Sequence, residues 1–103
     1  MIYPALELYV GGRWLRGEGR EERAVYDPAT GELLGLLPLA SSQDVDAAIA
    51  AAHQAFPLWR QVPALERARL LQAISARLRE QSAMLAHLLS CEQGKTIREA
   101  LGE

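Results

Sequence analysis

From Leu6 to Val10 the order Leu-Glu-Leu-Tyr-Val alternates between apolar and polar positions, breaks at Gly11-Gly12, and resumes at Arg13-Trp14-Leu15. Alternation places successive side chains on opposite faces of a strand, and paired glycines accept the positive φ angles of a tight turn. The pattern predicts a β-hairpin. Gly17 to Arg23 is polar and mixed in charge, which predicts a solvated connector. Ala24-Val25-Tyr26 predicts a strand, Asp27-Pro28-Ala29-Thr30-Gly31 carries turn residues, and Leu33 to Leu37 predicts the return strand. The hairpins would occupy about residues 6–39.

After Pro38 the apolar period changes from two residues to helical spacing, and helices are predicted over about 42–103. Ser41 or Ser42 is placed to cap the first, with Asp44 and Asp46 near the positive end of its dipole. Val45, Ala48, Ile49, Ala52 and Phe56 form its stripe, and Pro57 predicts its end, with Trp59 in the loop beyond. A second helix, with Pro63 in its first turn, carries Ala64, Ala68, Leu71, Ile74 and Leu78. A third starts at Ser82, carries Met84, Leu85, Leu88 and Leu89, and stops at Gly94. Thr96-Ile97-Arg98-Glu99 matches a capping box, which predicts a fourth helix. It has few residues before Glu103, so it is marginal without packing partners. The expectation is an incomplete domain.

A net charge of −2, from 11 Lys plus Arg against 13 Asp plus Glu, provides no basic field for nucleic acid or an anionic membrane. The longest apolar stretch, Leu33 to Ala40, is interrupted by Gly35 and Pro38, and Met1-Ile2-Tyr3-Pro4 lacks a basic leader. Neither a membrane span nor a signal peptide is expected. One cysteine makes no internal disulfide, and the chain reads as cytosolic.

Cys91 is the obvious candidate nucleophile. It falls at i, i+4, i+7 with Met84 and Leu88, on an apolar helix face near a helix C-terminus beside Glu92, which favours a structural thiol. His53 and His87 are on different helices and do not have the spacing of a helical metal site. Asp44 and Asp46 read as first-turn acids, and Lys95 as an ordinary cation after a helix end. Gly17-Glu18-Gly19 begins like a dinucleotide fingerprint, but Glu22 stands where the third glycine belongs. No catalytic, cofactor-binding or side-chain metal residue is predicted.

Taken in order, several motifs resemble the N-terminal region of the aldehyde dehydrogenase superfamily. Tyr9-Val10-Gly11-Gly12-Arg13-Trp14 resembles its opening hairpin, and Asp27-Pro28-Ala29-Thr30-Gly31-Glu32 resembles its turn, usually written with Asn before Pro. Asp44 to Ala48, Ala51 to Trp59, Glu66-Arg67-Ala68 and Glu92-Gln93-Gly94-Lys95 follow in the family's order, with Thr96 where Pro is frequent. The resemblance implies an α/β parent with a Rossmann-type cofactor domain, of which residues 1–103 would be the N-terminal, incomplete part. It implies NAD or NADP in the full-length parent and none for this segment alone. The nucleophilic cysteine, the glutamate and the dinucleotide crevice would lie beyond Glu103. It also implies a monovalent cation in some members, held on backbone carbonyls matching Val25, Tyr26 and Glu92. The Glu92–Lys95 and Glu99–Glu103 stretches are most similar to succinate-semialdehyde members. The expected partner is the remainder of such a subunit, with self-association through apolar helix faces as a second route. The rival reading is a stand-alone helical interaction module.

Overall fold

The computed structural model describes residues 3–103. Contacts divide the chain into two compact units, one of residues up to 25 together with 34–61, the other of residues 26–33 and 62–103.

In the first unit, β1 (Leu8–Val10) and β2 (Arg13–Leu15) pair antiparallel, with Leu8 opposite Leu15, Tyr9 opposite Trp14 and Val10 opposite Arg13. The turn puts Gly11 at φ 57° and Gly12 at φ 81°, two successive positive angles that match the right-handed twist of the strands. The Tyr9 and Trp14 rings lie 4.7 Å apart on a face that stays exposed. β3 (Glu22–Tyr26) and β4 (Leu33–Pro38) form the second ribbon. β3 starts at Glu22, so the predicted connector is shorter than its polarity suggested. The reason is pairing at the base of the ribbon, where Leu39 N–H donates to Glu21 O at 2.8 Å.

Helix α1 (Ser42–Trp59) is capped by Ser41, whose hydroxyl accepts from Asp44 N–H at 3.1 Å. Asp44 returns the favour, accepting from Ser41 N–H at 2.8 Å and from the hydroxyl at 2.9 Å. With the cap at Ser41, Asp46 falls past the first turn, so only Asp44 has the predicted place at the dipole. Asp44 also receives a two-point bond from Arg20, Nη2 to Oδ1 at 2.9 Å and Nε to Oδ2 at 3.3 Å, in a part-buried setting. This ties the connector to the helix start, a long-range pair that local spacing does not reveal.

Pro57 does not end α1, and Trp59 is its last residue rather than a loop residue. Proline costs the helix one bond, the N–H that would meet the His53 carbonyl, but the chain keeps its helical course beyond it, and Arg60 N–H donates across it to Phe56 O at 2.9 Å. α1 meets the hairpin through its small residues: Ala48 and Ala51 are half-buried, and a Cβ at Gly11 would sit 3.7 Å from the Ala51 methyl. The predicted stripe is left open, with Val45, Ile49 and Phe56 exposed at 47%, 63% and 59%.

In the second unit, α2 (Ala64–Glu80) starts after Pro63, which serves as N-cap rather than first-turn residue. Its stripe is also open, Leu71, Ile74 and Leu78 each being more than half exposed. α3 (Ser82–Gln93) and α4 (Ile97–Leu101) pack together and bury Ala86 and Ala100. The Asp27 turn is as predicted: its carboxylate accepts from Ala29 N–H at 2.7 Å and Thr30 N–H at 3.3 Å, and Gly31 has φ 76°. Gly94 ends α3 at φ 73°, its N–H donating to Ser90 O, and a Cβ there would meet Pro28 Cγ at 3.0 Å.

Among the described residues the buried hydrophobic side chains are Ala86 and Ala100. Helices therefore form here with most of their apolar faces uncovered.

Two substitutions test these local devices. Gly94→Ala is expected to cost roughly 1–2 kcal/mol from the left-handed backbone alone, and more from the Pro28 contact, read as a lower thermal midpoint. Arg20 is the largest cause, ahead of the Ser41 N–H and hydroxyl, of the Asp44 pKa being lowered from 3.8 to about 2. A lowered folded-state pKa gives stability that is complete above the ordinary value and lost as pH falls from 3.8 toward about 2. Arg20→Met should therefore raise the carboxyl pKa of Asp44, followed by NMR, and shift acid loss of α1 to higher pH. An unchanged titration would show that Arg20 contributes nothing.

Candidate functional site

The chemistry-bearing residues of the second unit gather at the end of α3 and in the turn to α4. The left-handed Gly94 reverses the chain, and the Ser90 hydroxyl donates to Lys95 O at 2.7 Å, fixing the exit. Thr96 then caps α4: its hydroxyl accepts from Glu99 N–H at 3.3 Å, while Glu99 Oε2 accepts from Thr96 N–H at 3.1 Å and from the hydroxyl at 3.0 Å. Those bonds, the backbone one first, hold the Glu99 carboxyl below its ordinary range, with the Lys95 charge assisting. The Lys95 ammonium itself pairs with the Glu103 carboxylate.

Cys91 is half-buried one turn before this exit, and its Sγ lies 3.7 Å from His87 Nε2. The i, i+4 spacing of this pair is visible in the sequence; comparing the two histidines only with each other passes over it. A thiol and an imidazole could supply nucleophile and base. Acyl chemistry also needs donors aimed at a developing oxyanion, and the last turn of a helix presents unpaired carbonyls instead. His53 is exposed on α1, in the other unit. Among the described residues no group of three or more His, Cys, Asp or Glu could hold a metal ion.

The Gly17–Gly19 segment leads into β3, not into a helix, so it offers no N-terminal amides to a phosphate. The space above Gly17 is occupied by the Glu22 carboxylate, which would repel an anion. These residues do not fit a dinucleotide. Tyr26 and Glu92 belong to the same unit, and the Pro28–Gly94 approach brings the hairpin tip against the end of α3 between them. Among the described residues no helix is long and apolar enough to cross a membrane.

Residues 14–103 match the aldehyde dehydrogenase family. The chain is 48% identical over 100 residues to 4-(hydroxymethyl)benzenesulfonate dehydrogenase of Comamonas testosteroni, covering 97% of this chain and 21% of that protein. Its fold is similar to that of succinate-semialdehyde dehydrogenase from Burkholderia pseudomallei, with a TM-score of 0.89, 38% identity, and coverage of 94% and 20%. It is similar as well to the NADP-dependent glyceraldehyde-3-phosphate dehydrogenase of Bacillus halodurans, solved with NADP, at a TM-score of 0.91 and 29% identity, covering 96% and 21%. The chain thus spans about a fifth of the length of these relatives. Among the described residues, two short hairpins followed by four helices match one part of the larger α/β fold of those enzymes. On the ordered motifs, the residues matched and the shared fold, this chain belongs to the aldehyde dehydrogenase family.

Proposed function

We propose that residues 1–103 are the N-terminal, incomplete part of the cofactor-binding domain of an NAD(P)-dependent aldehyde dehydrogenase, which oxidises an aldehyde to a carboxylic acid. The observation that carries this reading is the family match over 14–103 in a chain that spans a fifth of its relatives. The exposed apolar stripes of α1 and α2, each within its own unit, agree with a segment made to be covered. NAD or NADP supplies the hydride acceptor in such enzymes, and its binding is assigned to the rest of the subunit rather than to this segment alone. The work of this segment is scaffolding: the hairpins and helices brace the domain in which the cofactor and the reacting cysteine meet.

Cys91 is a structural residue in this reading, half-buried and partnered by His87. Succinate semialdehyde is the favoured substrate of the whole enzyme, supported by the likeness to the Burkholderia protein. Within the second unit the carbonyls of Tyr26 and Glu92 are candidate ligands for a monovalent cation, supported by the Pro28–Gly94 approach. The compartment is the cytosol, with no nucleic-acid or membrane partner. A stand-alone interaction module would share the open stripes but would not account for the family match.

The reading is tested with a chimera in which this chain replaces the matching stretch of the Comamonas dehydrogenase. Aldehyde-dependent reduction of NAD or NADP should remain within about tenfold of the relative's own rate, an allowance of about 1.4 kcal/mol in barrier, whereas the 103-residue chain alone should show none. Turnover by the pure short chain would overturn the reading. Cys91→Ala in the chimera should lower its thermal midpoint and leave kcat within about twofold; a covalent aldehyde adduct on Cys91 would make it a catalytic residue after all.

A further inference from the structure

We draw no further inference here: the strongest candidate, the Cys91–His87 side-chain pair near the C-terminal end of α3, carries nothing because it is one cysteine beside one imidazole, with no third ligating side chain grouped with them among the described residues to point to what the pair would hold.

Discussion

The constraint on which everything else depends is the mismatch between how much apolar surface these helices carry and how little of it the chain covers by itself. Marginal folds are held by hydrophobic burial set against conformational entropy. Here Val45, Ile49 and Phe56 on α1, and Leu71, Ile74 and Leu78 on α2, remain in contact with solvent. In a self-sufficient domain they would form the core. Under the proposed function that exposure has a meaning, because these side chains would belong to a core whose other half the rest of the subunit carries.

Local devices are, by contrast, complete. Ser41 with Asp44 and Thr96 with Glu99 each close a capping box within four residues, and the Gly11–Gly12, Asp27–Gly31 and Gly94 turns settle their own geometry. Such signals need only neighbours in sequence. They let secondary structure take its correct limits before any tertiary surface is satisfied, so that the unmet faces are already ordered when a partner surface arrives.

This division explains what could be read from the residues. The hairpin at Gly11–Gly12, the turn at Asp27, the stop at Gly94 and the cap at Thr96 were legible, being short-range. Pro57 misled because the general cost of proline in a helix is set by the bond and space it removes, and here the loss of one N–H does not prevent the next turn from closing, Arg60 N–H bonding Phe56 O. The start of β3 at Glu22 was hidden by polar composition, since a ribbon edge accepts charged residues. Arg20 meeting Asp44 lies beyond any spacing rule, joining residues 24 apart. At the candidate site, Cys91 was correctly placed on an α3 face with Leu88, yet its imidazole neighbour was missed although His87 stands one turn away. The open stripes showed correctly which residues are apolar, but periodicity alone does not say what covers them.

The meeting of Ala48 and Ala51 with the Gly11 turn divides α1 into two faces with different duties. Methyl groups and a bare glycine gain little from leaving water, so their contact works as a spacer: it sets how near helix and hairpin approach while supplying little of the driving force. The large side chains are thereby turned outward and held ready. In assembly terms, the weak contact is made within the unit and fixes direction, and under the proposed function the strong one is left to the rest of the subunit. A bulkier residue at Ala51 would act less by weakening the segment than by aiming its adhesive face the wrong way.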